Sequence, residues 1–152
     1  MTTECVARAF LVLVAMCAAP FALLSFDLST IKSEPNLEHR SELALVNANA
    51  ALDTARMAYD SGDEAKVEAA LVEVQESVDL AYDSLSSTGK DPRRSPKYFK
   101  KAEMSIRLLL RRLEGVAQNF SVADRSAIEH IRDHVSEIHD NLIEGIMSKK
   151  KK

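Results

Sequence analysis

Apolar and polar positions repeat with helical periodicity over most of this 152-residue chain. The clearest pattern covers residues 95–120, where apolar residues recur at steps of three and four, as they do on one face of an α-helix. Ser95 offers a side chain that can cap this helix, and Pro96 suits its first position. The apolar face consists of Phe99, Ala102, Ile106, Leu109, Leu110, Leu113, Val116, Ala117 and Phe120. A helix of this kind needs partners, because it is not stable alone in water.

Two segments before it predict partner helices. Residues 37–59 have two apolar faces, the second of which contains Val46 and Met57, and this predicts neighbours on both sides. Residues 63–86 carry apolar residues at alternating steps of four and three, a short seam typical of coiled-coil packing. A Ser-Gly-Asp turn at Gly62 separates the two segments. The segment around this turn resembles one tetratricopeptide hairpin, but it has no second copy at the expected period, so a solenoid is not predicted.

A last amphipathic segment completes the predicted architecture. Residues 121–147 begin with Ser121 and Asp124 at capping-box spacing and continue with an isoleucine-rich face. Low glycine and proline content and few aromatic residues also favour helices. We therefore predict an all-α fold: an antiparallel four-helix, up-down-up-down bundle over residues 37–147, followed by a lysine-rich tail at 148–152.

The N-terminal segment has a different composition. Residues 1–26 contain a short start with one base and then an apolar run broken only by Pro20 and Ser25, which is typical of a secretory signal peptide. The run is also close to the length of a membrane-spanning helix, so an uncleaved anchor is the competing interpretation, and an ordinary buried helix is a third. Residues 27–36 are polar and predict a linker. The protein is expected to be exported, either periplasmic or anchored and facing the periplasm.

The two cysteines, Cys5 and Cys17, both lie in this N-terminal segment. A disulfide or a cysteine-based metal site is therefore not expected in the body of the protein. Cys17 follows a faint lipoprotein-box pattern, but Met16 stands where that box has a small residue. Lipidation at Cys17 is a minor alternative.

The net charge of −3 hides a marked asymmetry along the chain. Residues 27–86 carry 13 acidic and 4 basic residues, whereas residues 87–120 carry 3 acidic and 9 basic ones. The simplest interpretation is that the acidic first half packs beside the basic third helix within one molecule.

Histidine spacing on the last helix raises one metal hypothesis. His130 and His134 stand four residues apart and Glu137 lies a further turn along, a spacing that can place three ligands on one metal ion. This trio lies away from the isoleucine face, so a solvated polar face is the simpler interpretation.

A second pair of histidines raises a haem hypothesis. His39 and His139 lie near helix ends that share one end of an up-down-up-down bundle. The order and lengths of the helices resemble exported b-type four-helix-bundle cytochromes, which hold haem between the first and last helices. The resemblance implies bis-histidine ligation here, because His39 stands where those proteins have methionine. The simpler interpretation places both histidines at the surface, and no cofactor is predicted.

Basic residues on the third helix form a stripe opposite its apolar face. They are Lys97, Lys100, Lys101, Arg107 and Arg111. Such a stripe can bind anionic lipid or another polyanion, although most stripes of this kind are solvated faces. Nucleic acid is not expected as a partner of an exported protein.

No arrangement typical of catalysis occurs in the sequence: there is no phosphate-binding glycine loop and no nucleophile motif. We therefore predict a non-enzymatic, exported helical-bundle protein that acts by binding, similar in general layout to exported bacterial helical proteins without a characterised activity. An unknown protein of the cell envelope is the expected partner, and homo-oligomers are left open. The alternatives are a haem- or metal-binding bundle and a peripheral protein of anionic membrane surfaces.

Overall fold

The computed structural model describes residues 28–148 and confirms an all-α fold. Its five helices are α1 (Leu28–Lys32), α2 (Leu37–Asp60), α3 (Glu64–Ser86), α4 (Pro96–Asn119) and α5 (Arg125–Met147). The predicted signal peptide or anchor at 1–26 and the lysines of the tail lie outside the described residues. Between residues 28 and 148 no helix combines the length and apolar character needed to cross a membrane.

The first helix corrects the prediction of a linker at 27–36. Residues 28–32 form a helix of little more than one turn, and its Leu28 and Ile31 side chains are buried against α2 and α3. The segment then turns at Pro35 into α2. The two apolar residues anchor a segment whose overall composition is polar.

Side-chain oxygens cap the starts of α2 and α3. Asn36 accepts hydrogen bonds from the backbone N–H groups of Glu38 and His39, and Asp63 accepts one from that of Lys66. At α4 the expectation was wrong, because Ser95 makes no capping hydrogen bond with its side chain. Pro96 does occupy the first position of α4, as predicted.

The capping box predicted at the start of the last helix forms one turn earlier than the helix itself. The backbone N–H of Asp124 donates to the Ser121 hydroxyl oxygen at 3.3 Å, and that hydroxyl also contacts the Asp124 carboxylate at 2.7 Å. These contacts close a turn, and α5 begins only at Arg125.

The turn between α2 and α3 depends on a glycine. Gly62 has a φ of +74°, in the left-handed region, and a Cβ at this position would meet no atom within 4 Å. We expect Gly62→Ala to lower the free energy of unfolding by about 1 kcal/mol, purely through backbone strain. Gly115, inside α4, also has room for a Cβ but has ordinary helical geometry.

The matched change Gly115→Ala should therefore raise the free energy of unfolding by up to about 1 kcal/mol. Urea denaturation of both variants measures the two changes in the free energy of unfolding. Effects of the same sign would contradict the left-handed geometry of Gly62.

The four long helices form two antiparallel hairpins, α2 with α3 and α4 with α5. Short turns join the helices within each hairpin, whereas residues 87–95 form the longer connection between hairpins. The α2–α3 pair packs most extensively, because α2 is rich in alanine and lets α3 approach closely.

The two hairpins lie side by side, with α2 against α4 and α3 against α5. Glu42 pairs with Lys101 at 2.8 Å and Asp53 pairs with Arg112 at 2.6 Å, so α2 and α4 run in the same direction. The backbones of α2 and α5 do not approach each other closely, and these two helices lie across a diagonal.

One continuous apolar core runs between the four helices. Its fully buried side chains include Leu52, Val74, Ile106, Leu109 and Ile128. The second apolar face predicted for α2 is buried only in part: Val46 is 57% exposed and Met57 is 43% exposed, whereas Leu43 packs against the core.

An aromatic contact joins the two hairpin turns. The rings of Tyr59 and Phe120 stack with centroids 3.7 Å apart, and the Tyr59 hydroxyl accepts a hydrogen bond from the backbone N–H of Ser121 at 2.8 Å. The turn ends of both hairpins are thus tied together.

Candidate functional site: the outer face of α4

The side of α4 turned away from the core carries most of its charge. With 3.6 residues per turn, seven residues share the side opposite the buried stripe, and we call this surface the α4 outer face. Its members are Lys97, Lys100, Lys101, Met104, Arg107, Leu108 and Arg111. The two acidic residues of α4, Glu103 and Glu114, lie to one side of this face. The face is therefore basic over its whole length.

Two apolar side chains lie exposed among these bases. Met104 is 59% exposed and Leu108 is 56% exposed, one helical turn apart. Large apolar side chains surrounded by Lys and Arg form the pattern of helices that bind at the surface of an anionic membrane. The same pattern suits an acidic protein surface with apolar residues of its own.

The basic side chains of the α4 outer face differ in whether they already have a partner within the molecule. Lys101 pairs with Glu42 at 2.8 Å, and Arg107 lies 3.5 Å from Glu103. The Lys97 ammonium lies 5.2 Å from the centre of the Tyr98 ring. Lys100 and Arg111 have no hydrogen-bond or ion-pair partner within residues 28–148. The charges of these two are therefore available to a ligand.

A neighbouring arginine fixes the position of α4 on α2. Arg112 donates to the Asn49 side-chain oxygen at 2.5 Å and to Asp53 at 2.6 Å. These contacts turn Arg112 inward, beside α2, and leave Arg111 directed outward. The contacts of Arg112 thus determine how α4 is rotated about its axis, and therefore the direction of the α4 outer face.

The connection before α4 contains further basic residues, most of which already have partners within the molecule. Lys90 donates to the Glu38 carboxylate, and this hydrogen bond raises the pKa of Lys90. The backbone N–H of Arg93 donates to Asp91 at 2.9 Å and lowers the pKa of that carboxyl. Arg93 also donates to the backbone carbonyl of Ser148 at 2.8 Å. These bases tie the connection to α2 and to the end of α5.

The residues of the metal hypothesis are not brought together. His134 is turned toward α3, where its Nε2 lies 2.7 Å from the Asp79 carboxylate, whereas His130 and Glu137 are exposed on α5. In the part of the chain that the structure describes, no three His, Cys, Asp or Glu side chains form a group that could hold a metal ion. His134 instead links α5 to α3.

The residues of the haem hypothesis are also apart. His39 is exposed at the start of α2 and its Nδ1 lies 3.2 Å from Glu34. His139 contacts Glu103 of α4 through Nε2 at 3.0 Å. Each histidine thus pairs with a different carboxylate, and the two lie on helices whose backbones do not approach each other closely.

Several clefts open on the surface. One of about 490 Å³ lies between α3 and α5 at the turn end, with Leu71 and Ile131 among its apolar lining and Glu64 and Glu68 among its acidic lining. Another, of about 280 Å³, lies between α2 and α4 and includes Glu42 and Lys101. A shallow one of about 460 Å³ lies at the start of α4 and is lined in part by Lys97 and Lys100. The linings of the 490 Å³ and 280 Å³ clefts contain no histidine or cysteine.

The bases of the α4 outer face were identified from the sequence, whereas Met104 and Leu108 were missed. Both residues fall on the basic side of the helix when the sequence is drawn at 3.6 residues per turn. Apolar residues outside the core stripe were the available signal. Their exposure adds two apolar side chains to an otherwise basic face.

Comparison with known proteins adds no assignment. No protein-family model matches the chain, and no curated protein or solved structure was found to match it.

Proposed function

We propose that this is an exported, non-enzymatic binding protein that associates peripherally with anionic membrane surfaces through the α4 outer face. The observation that carries the proposal is the exposure of Met104 and Leu108 between the unpaired bases Lys100 and Arg111. The bases attract anionic headgroups, and the two apolar side chains enter the region between headgroups and acyl chains.

The arrangement of α4 supports this role. An outer face that already lies on a folded helix lowers the cost of binding, because no backbone segment needs to become ordered. Arg112 and the buried side of α4 hold the helix in place, so the outer face is ready for contact in the free protein. The lysines at the end of the chain add further attraction to the same kind of surface.

Vesicle binding tests the proposal. The full chain should bind phosphatidylglycerol vesicles more tightly than phosphatidylcholine vesicles, and binding should weaken as salt rises, because screening acts on exposed charges. Each basic residue near an anionic surface contributes about 1 kcal/mol, so Lys100→Glu with Arg111→Glu should weaken binding roughly 30-fold or more. Cosedimentation at a series of lipid concentrations measures the change.

A matched control separates the α4 outer face from net charge. Arg56→Glu with Lys66→Glu changes the net charge equally, at exposed positions of α2 and α3. This control should bind within about threefold of the unaltered chain. The apolar N-terminal segment is the same in all these proteins, so its contribution cancels. Equal losses in both double variants, or no preference for anionic lipid, would overturn the proposal.

A further inference from the structure

The outer side of α3 carries the opposite charge. Opposite its buried stripe lie Glu68, Val72, Glu76, Asp79 and Asp83, which we call the α3 outer face. Val72 is 49% exposed in the middle of these acids. Asp79 contacts His134, whereas Glu68, Glu76 and Asp83 have no ion-pair partner among the described residues.

The α3 and α4 outer faces point away from each other. Both α3 and α4 pack against α2 and α5, so α3 and α4 lie at opposite corners of the bundle. Each outer face is on the side away from the core. The acidic face therefore cannot meet the basic face within one molecule.

Pairing inside the molecule uses a different set of acids. Lys101 is paired with Glu42 and Arg112 with Asp53, both carboxylates belonging to α2. Thus only some of the acids in the first half of the chain pair with bases of α4 within one molecule. Glu68, Glu76 and Asp83 of the α3 outer face are left for a contact between molecules, as are the outermost bases of α4.

We propose that the α4 outer face of one copy docks on the α3 outer face of a second copy. The two faces match in spacing as well as in charge. Glu68, Val72 and Asp79 follow one another at the same intervals as Lys100, Met104 and Arg111. A parallel contact that seats Val72 on Met104 places an acid opposite a base on both sides of this apolar pair.

The position of the faces fixes the kind of assembly. Because the two faces lie on opposite corners, each copy uses one face toward one neighbour and the other face toward a different neighbour. The contact is heterologous, head to tail, and builds a series of copies rather than a two-fold dimer. One helix face per partner is a small contact, so the association is weak and depends on concentration and salt.

Sedimentation velocity of the full chain tests this assembly. The average mass should rise with protein concentration at about 20 mM salt and fall back toward that of one chain at about 500 mM salt. Self-association through the apolar N-terminal segment would persist at about 500 mM salt, since salt does not weaken an apolar contact. A single species at all concentrations in low salt would overturn the proposal.

Charge reversal identifies the two faces. Glu68→Lys with Glu76→Lys removes the net negative charge of the α3 outer face, and Lys100→Glu with Arg111→Glu removes most of the net positive charge of the α4 outer face. Each variant alone should associate at least tenfold more weakly than the unaltered chain. An equimolar mixture of the two should associate again, because each variant then supplies the face that the other lacks.

Glu137→Lys with Glu144→Lys is the matched control, with the same charge change at exposed positions of α5. It should associate like the unaltered chain, and circular dichroism should show the same melting behaviour for all variants. Association that persists in either reversed variant, or a mixture that stays monomeric, would refute the pairing of these faces.

The outcome does not depend on membrane binding. The Glu68→Lys, Glu76→Lys variant keeps the α4 outer face, so it should lose self-association and still bind phosphatidylglycerol vesicles. Self-association without vesicle binding would refute the proposed function alone. Vesicle binding without salt-sensitive self-association would refute the docking of copies alone.

Discussion

Replacing Leu109 with alanine is expected to lower the free energy of unfolding by about 3 kcal/mol. Leu109 is fully enclosed in α4, in the middle of the core shared by both hairpins. The truncated side chain loses its transfer free energy and leaves a cavity that neighbouring helices cannot fill completely. Urea denaturation in dilute solution measures the loss.

The adjacent residue supplies the control. Leu108 has the same side chain in the same helix but is 56% exposed. Leu108→Ala should change the free energy of unfolding by no more than about 0.5 kcal/mol. Comparable losses at the two positions would contradict the rotation of α4 that buries Leu109 and exposes Leu108.

The second large effect is expected at a buried amide. Asn47 is 1% exposed and donates through Nδ2 to Glu73 at 2.8 Å and to Ser77 at 3.0 Å. Its side-chain oxygen has no partner in the described part of the chain. Asn47→Asp removes both donors and sets a carboxylate beside that of Glu73. We expect a loss of about 3 kcal/mol or more at pH 7, the cost of an unpaired buried charge.

The pH dependence of this variant has a definite sign. Burial and the neighbouring carboxylate raise the pKa of an aspartate at position 47 in the folded state above its unfolded value. The variant therefore loses stability as pH rises from the unfolded pKa through the folded one, and the difference from the unaltered chain should shrink below about pH 5. Denaturation at several pH values measures this difference.

Asn49 provides the matched substitution. Its side-chain oxygen accepts from Arg112, so an aspartate there meets a positive charge as well as Asp53. Asn49→Asp should change stability by no more than about 1 kcal/mol. A constant deficit for Asn47→Asp between about pH 4 and about pH 8 would show that the lost donors alone cause its effect.

The long helices could be predicted from the sequence because each repeats its apolar positions over many turns. The α4 stripe from Phe99 to Ala117 is the clearest case, and its buried residues are those that the periodicity indicates. The short α1 could not be found in this way. Leu28 and Ile31 supply only one step of the pattern, too little to distinguish a helical turn from a linker.

The neighbours of each helix could not be predicted from periodicity. A stripe shows which side of a helix is buried, but not which helix covers it. The placement of α2 beside α4 depends on particular contacts such as Glu42 with Lys101, and many other pairings of acids and bases were compatible with the sequence. The partners of His39 and His139, Glu34 and Glu103, likewise could not be read from the spacing of residues along each helix.

The candidate site was predicted in part. The positions of the bases on the α4 outer face could be predicted from helical spacing. The ion pair or hydrogen bond that each base makes could not. Lys101 and Arg112 pair with carboxylates of α2 and Arg111 does not, a difference that depends on which acids the neighbouring helix presents. The apolar pair Met104 and Leu108 was visible in the sequence but was not part of the site that we predicted.

The division into hairpins also bears on how the chain reaches this fold. Each hairpin closes over a turn of a few residues, so its contacts form between segments that are near in sequence and carry a low entropic cost of closure. The contacts between hairpins join positions as distant as Tyr59 and Phe120. Local contacts form quickly, so we expect each hairpin to collapse as a unit and the two units to dock afterwards. The connection at 87–95 would then act as a hinge, through which a hairpin of one chain can exchange with that of another during refolding at high concentration.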